Sequence, residues 1–227
     1  MVTTEGDNMR LRTIVASGIS AAAALTIAVP AFANEKPPPT MAPTIADVLL
    51  SDAASDTDGF DHNSRDFDIV TQAVLAFPDL TAAASDRAAK LTVFAPTDHA
   101  FRKLTYDLTG TWYRSEKDVF DNLVKAAGLD TIKTVLTYHI VPTAIPASVA
   151  VTANGAMLDT LQGGKIGVNV FSRWWGPSIQ LTDLDPDARD PWVVNFNVGG
   201  PLANGYIHGL NRVLRPVDLP NPVYGKG

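Results

Sequence analysis

LTVFAPTDHAF, residues 91–101, decides the reading of this chain. Leu91, Val93 and Ala95 alternate with Thr92 and Phe94 in a run rich in β-branched and aromatic side chains, the pattern of a short, largely buried strand. Pro96 cannot serve the interior of a strand and Thr97 suits a helix N-cap. Asp98 places negative charge in a first turn, where unpaired amides and the helix dipole favour it. The stretch therefore predicts strand, turn and helix in succession, with Phe101 and Leu104 sharing one helix face. Capping is worth about 1 kcal/mol and accounts for Thr97 and Asp98 without any ligand.

A second stretch, NGYIHGLNRVLRP (204–216), carries an Asn-Gly turn signal, then Ile207 and the Val213-Leu214 pair ahead of Pro216. Between the two lies YHIVP (138–142). In order and spacing these three segments resemble the fasciclin-type extracellular adhesion domain, its first signature, its second and its Tyr-His segment, over about Thr44 to Leu219. The chain departs from that pattern at Gly209, where an apolar residue is usual, and at Asn211, where Asp is usual. The resemblance implies an α+β, fasciclin-like fold, a wedge of β-sheets with several helices packed along it. It also implies a role for Tyr138 and His139 in partner binding, while Thr97, Asp98, Phe101 and His208 read from the residues themselves as structural.

Hydrophobic periodicity gives the same class. A helix over Thr44–Leu49 is followed by a polar loop with six aspartates between Asp52 and Asp68, then a helix with Ile69, Val70, Ala73, Val74 and Phe77 on one side, stopped by Pro78. Ser115 and Asp118 form a capping pair for a helix that Gly128 ends, and Asp130 caps the next. The last third alternates as strands: Met157–Leu161, then Ile166, Val168 and Val170 after a Gly163-Gly164 turn, then Ile179–Leu181 and Trp192–Val198. Helices early and strands late read as α+β.

Ahead of this domain (44–219), Arg10 and Arg12 precede an apolar run ending in Ala31-Phe32-Ala33, a signal-peptide pattern over residues 1–33. Glu5 and Asp7 disturb the basic flank, leaving Met1 and Met9 as alternative starts. Residues 34–43 are a Pro-rich linker, and 220–227 read as a C-terminal tail. Cysteine is absent, which excludes disulfides and thiolate chemistry, so an exported chain must be held by its core. The net charge of −6 and the lack of a Lys/Arg cluster argue against nucleic acid and an anionic membrane surface, and the apolar runs are too short to prefer membrane insertion.

Catalytic motifs are missing: there is no G-x-S-x-G, P-loop, G-x-G-x-x-G or H-E-x-x-H. No cofactor and no metal site is expected. Asp56, Asp58, Asp61 and Asn63, and again Asp183, Asp185 and Asp187, offer oxygens at calcium-like spacing, but neither set completes an EF-hand and both read as solvated loops. His139 and His208 read as core histidines, and His99 as exposed and indifferent. Trp174 and Trp175, adjacent and read as strand residues, would point to opposite faces, which sends one indole outward or lays both over a sheet edge. With Tyr138 and His139 they are the candidate partner-binding residues.

The chain is therefore read as a secreted, non-enzymatic fasciclin-like module that meets an extracellular protein or a cell-surface glycan. The alternative is a polysaccharide-binding wall or matrix protein using Trp174, Trp175, Trp112 and Tyr113. A secreted hydrolase built on Asp183 and Asp185 is the third reading, and it needs a cleft holding both acids.

Overall fold

In the computed structural model, residues 42–53 and 58–219 are described. The expected signal peptide, most of the Pro-rich linker, Asp56 and the C-terminal tail lie outside them. Helices α1 (Ile45–Ala53), α2 (Asp68–Leu75) and α3 (Pro78–Ser85) precede β1 (Leu91–Pro96). Then come α4 (Asp98–Thr109), α5 (Glu116–Ala127), α6 (Leu129–Tyr138), β2 (Ile140–Val141) and the single turn α7 (Ala147–Ala150). Strands β3 (Met157–Asp159), β4 (Lys165–Arg173), β5 (Gly176–Thr182), β6 (Val193–Asn195) and β7 (Gly205–Leu210) complete an α+β chain.

Both faces of β1 are buried. Alternation along a strand sends neighbouring side chains to opposite faces, and here each face has its own core. Leu91, Val93 and Ala95 join a cluster with Ile69, Phe101, Leu104, Val119, Ile132 and Leu136 from the helices. Phe94 points the other way, among Tyr138, Val141, Ile166, Ile179, Leu181, Leu210 and Leu214. The sheet ordered β2-β1-β7-β6 thus lies between a helical layer and the antiparallel sheet β3-β4-β5.

The three diagnostic segments are laid side by side in that first sheet. β1 runs parallel to β7 in a register from Leu91↔Gly205 to Pro96↔Leu210, while β2 pairs antiparallel on its other edge, Val93 opposite Ile140. Gly209, in place of the usual apolar residue, sits opposite Ala95 and Asn195, and a Cβ there would come within 3.0 Å of the Asn195 Cβ and 3.3 Å of the Phe67 ring. Asn211 accepts a hydrogen bond from the Trp192 N–H (2.8 Å), holding the 190s segment against the end of β7.

Several local readings change. Pro78 does begin a break, but it also occupies the first turn of a new helix, α3, where its missing N–H costs nothing. Helix α6 starts at Leu129, with Gly128 rather than Asp130 in the N-cap position, and Trp192–Val198 is a strand only over β6. Ser115 does cap α5, its Oγ accepting from the Asp118 N–H at 3.3 Å. Thr97 holds the N-cap position of α4 by its backbone (φ −68°, ψ 163°) with no capping hydrogen bond from its hydroxyl. Ser115→Ala is therefore expected to cost about 1 kcal/mol, and Thr97→Ala less, when the two are compared by urea unfolding. An equal loss would restore the capping role to Thr97.

Candidate functional site

Tyr138 and His139 stand where α6 runs into β2, 0% and 2% exposed. The Tyr138 hydroxyl donates to the Lys165 carbonyl (2.6 Å), tying the helix to the second sheet. His139 Nε2 accepts from the Leu214 N–H at 2.9 Å, so Nδ1 must carry the proton that it shares with the Val135 carbonyl at 2.7 Å. With both nitrogens used, burial pulls its pKa down to about 4 and the ring is neutral at pH 7. His208 has the opposite tautomer: Nε2 donates to the Ile145 carbonyl (2.9 Å) and Nδ1 accepts from the Asn197 N–H (3.3 Å), and burial lowers its pKa as well. Neither Tyr138 nor His139 reaches the surface with its side chain, and Phe101 is likewise buried.

Trp174 and Trp175 are not strand residues. They form the loop of the β4–β5 hairpin, whose last pair is Arg173↔Gly176, and Gly176 supplies the positive φ (+119°) that closes it. Both indoles are therefore thrown outward, 92% and 64% exposed, edge to face with centroids 5.0 Å apart. Below them the Arg173 guanidinium lies over the Phe171 ring, and Phe171 packs on Trp192 at 5.3 Å. Opposite faces and a covered sheet edge are both replaced by a convex aromatic tip.

Of the residues read as solvated acidic loops, Asp58, Asn63 and Asp187 are exposed, Asp61 and Asp183 are half-buried and Asp185 is buried. Asp66, Asp68 and Asp98 are buried together with Glu116. Asp98 accepts from the Ile69 N–H (2.8 Å) and the Asp68 N–H (3.3 Å), so it caps α2 rather than its own helix. Desolvation first, then its hydrogen bond with Asp66, raise its pKa, which removes the negative charge expected at that position. Asp68 accepts from the Asp61 N–H (2.9 Å), and Glu116 accepts from the His62 N–H (2.8 Å) while Arg102 lies 3.6 Å from its other oxygen. Carboxylate oxygens of Asp61, Asp68 and Glu116 come within 4.8 Å of one another, as do those of Asp66, Asp68 and Asp98, and of Asp185, Asp187 and Asp218. In the first two sets, Asp68, Asp98 and Glu116 each accept from backbone amides through at least one oxygen, and Arg102 pairs with Glu116.

Asp183 and Asp185 serve the end of the chain. Asp183 accepts from the backbone N–H groups of Asp185 (3.0 Å) and Arg215 (2.8 Å), and Asp185 accepts from the Leu219 N–H and pairs with the buried Arg215, which also pairs with Asp107. Desolvation pushes the Asp183 pKa up to about 6. Both acids are thus turned to backbone amides and to Arg215, and hold residues 215–219 in place.

A cleft of about 490 Å³ opens elsewhere, walled by Ser64, Arg65, Thr97, His99, Val194, Asn195 and Asn211. Four separate parts of the chain build it: the loop before α2, the start of α4, β6 and the end of β7. Backbone bonds lock the first two together, the Asp98 N–H giving to the Asp66 carbonyl (3.1 Å) and the His99 N–H to the Ser64 carbonyl (2.9 Å). His99, read from sequence as exposed and indifferent, is half-buried here, with Trp112 edge-on to its ring at 5.8 Å. No sequence signal marks this cleft, because no two of its walls share a motif apart from Thr97 and His99.

Residues 66–216, more than half of the chain, match the family model for the fasciclin domain. Among curated proteins none matches. Among solved structures, the FAS1 domain pair of the insect cell adhesion molecule fasciclin I is similar at 16% identity and a TM-score of 0.46, with 63% of this chain and 43% of that one covered. The chain thus spans less than half the length of that domain pair. With its two signature segments paired strand to strand and the family match running through both, the chain belongs to the fasciclin family.

Proposed function

We propose that this chain is an exported fasciclin module that works by adhesion, gripping an extracellular protein or a cell-surface glycan without transforming it. The observation that carries this reading is the Trp174-Trp175 tip. Two indoles left in water forgo burial that would be worth about 2 kcal/mol each, and nothing in the core requires them there. Tryptophan at an exposed, rigid position is the side chain that concentrates binding energy in protein interfaces, and its flat face also suits sugar rings. Export rests on the signal-peptide pattern over residues 1–33. Tyr138 and His139 serve the same function from inside, by fixing the sheet that presents the hairpin.

Pull-down from cell-surface extracts tests the reading, with the chain beginning at Asn34 compared with its Trp174→Ala/Trp175→Ala variant. The variant is expected to keep the wild-type melting temperature and to lose at least tenfold in retained material. Protease treatment of the extract removes a protein partner, whereas periodate oxidation removes a glycan, the alternative matrix-binding reading. Full retention by the folded double variant would exclude the tip as the adhesive element.

A further inference from the structure

The 490 Å³ cleft beside the start of α4 is polar and almost uncharged: of its walls only Val194 is apolar, only Arg65 is cationic, and among the described residues no acid lines it. Thr97 sits in this wall at 6% exposure, yet its hydroxyl takes part in no hydrogen bond among the described residues. Thr44, Thr71, Thr92, Thr105 and Thr160, the other buried threonines among the described residues, all use theirs. A buried hydroxyl without a partner is destabilising, and the exception here lines a cleft. Its neighbours are in the same condition. Among the described residues the Ser64 hydroxyl, the His99 ring nitrogens and the Asn195 amide make no hydrogen bond, and Asn211 accepts from the Trp192 N–H through its oxygen and keeps its amide N–H groups. Desolvation first, then Lys103, Arg102 and Arg212, lower the His99 pKa, so the ring is neutral at pH 7 with one donor and one acceptor nitrogen. Trp112, edge-on at 5.8 Å, fixes the plane of that ring.

We propose that this cleft is a binding site for a neutral sugar unit of a glycan, with the Thr97 hydroxyl, the His99 ring and the Asn195 and Asn211 amides meeting its hydroxyls. Every sugar hydroxyl both donates and accepts, and the walls answer in kind: the Ser64 and Thr97 hydroxyls and the neutral imidazole do both, and the Asn211 amide donates. Arg65, exposed at the mouth, adds a fork of donors. The volume falls in the range of pockets that take small organic ligands. An anion finds less here. The amides that a helix start would offer it are already used, the Asp98 N–H by the Asp66 carbonyl (3.1 Å), the His99 N–H by the Ser64 carbonyl (2.9 Å) and the Ala100 N–H by the Thr97 carbonyl (2.8 Å), which leaves one exposed guanidinium. An apolar ligand would strip water from Thr97, Asn195 and Asn211 without replacing its hydrogen bonds. The cleft and the Trp174-Trp175 hairpin belong to different elements, so this site goes beyond the adhesive reading and the two can fail separately.

Isothermal titration of the full chain with galactotriose, cellotriose, mannotriose and maltotriose tests the site, beside the trisaccharide of galacturonic acid and the peptide trialanine. At least one neutral trisaccharide is expected to bind, with an affinity that salt leaves unchanged. Thr97→Val keeps the shape of the side chain and removes only its hydroxyl. It is expected to cost about tenfold in affinity while the melting temperature holds or rises, since no hydrogen bond within the protein is lost. Asn195→Ala, a change at an exposed position, is expected to cost about as much in affinity. Absence of heat from all four neutral trisaccharides at millimolar concentration would overturn the proposal. So would tighter binding of the galacturonate trisaccharide or of trialanine than of every neutral sugar, or an affinity unchanged in both Thr97→Val and Asn195→Ala.

Discussion

Gly205→Ala is expected to destabilise the fold by about 4 kcal/mol and to lower its melting temperature by roughly 10 °C or more. Gly205 opens β7 at φ +147°, opposite Leu91, and a Cβ built on it would lie 1.8 Å from the Leu91 carbonyl oxygen and 2.8 Å from the carbonyl carbon. Those are backbone atoms of the central strand, so relief requires the β1–β7 pair to part at its first residue. The neighbouring Asn204 makes such a shift costlier. Fully buried, it accepts from the Ile45 N–H (2.9 Å) and donates to the Ala84 carbonyl (2.7 Å), joining the start of α1 to the end of α3, while its own carbonyl takes the Leu91 N–H (2.9 Å). Gly200→Ala supplies the control. It too has a positive φ (+81°), but nothing lies within 4 Å of an added Cβ, so only the backbone strain of about 1–2 kcal/mol applies. Urea unfolding of both variants separates the two costs, and equal losses would show that close approach at Leu91 is not what Gly205 provides.

That position shows how far the sequence could be read. The dipeptide Asn204-Gly205 is a turn signal by composition, and a turn does lie there, Leu202 bridging to Gly205. What no local pattern can express is a strand whose Leu91, 114 positions before Gly205, passes close enough to forbid a side chain. The same limit recurs elsewhere. Alternation in β1 correctly marks a buried strand, but that Phe94 enters a different core from Val93 depends on the second sheet. Pro78 is a true breaker by its ring, and only packing decides that the residues after it helix again. Trp174 and Trp175 continue the strand-like run by propensity, and the Gly176 that turns them outward lies just beyond them. The cleft was beyond reach altogether, since its walls come from the loop before α2, the start of α4, β6 and the residue after β7, which meet only in the folded chain.

Asp98 gives the other large effect, and its sign separates two physical pictures of one residue. An ionised Asp98 at a helix start would stabilise through charge, and Asp98→Asn would lose that at all pH values above its titration. Its raised pKa points to a neutral carboxyl, hydrogen-bonded to Asp66 and surrounded by Asp66 and Glu116, with its oxygens aimed at the Ile69 and Asp68 N–H groups. A group whose folded pKa lies above its unfolded value contributes stability that is fully present below the unfolded value, 3.8, and is lost as pH rises toward the folded one. Asparagine copies the protonated form, accepting from the Ile69 N–H and donating to Asp66, and it does not titrate. Wild type is therefore expected to lose stability relative to Asp98→Asn between pH 5 and pH 8, by at most about 1.4 kcal/mol per pH unit for one proton. His139 works in the opposite direction, its stability lost as pH falls from 6.5 toward about 4, and His208 follows it. Both are common to the two proteins, so the difference between their urea-unfolding profiles cancels them. Asp98→Ala, which leaves two buried N–H groups without an acceptor, should cost about 2–3 kcal/mol more than Asp98→Asn at pH 5. Parallel wild-type and Asp98→Asn profiles across that range would return the negative charge to Asp98, and with it the helix-dipole account of this turn.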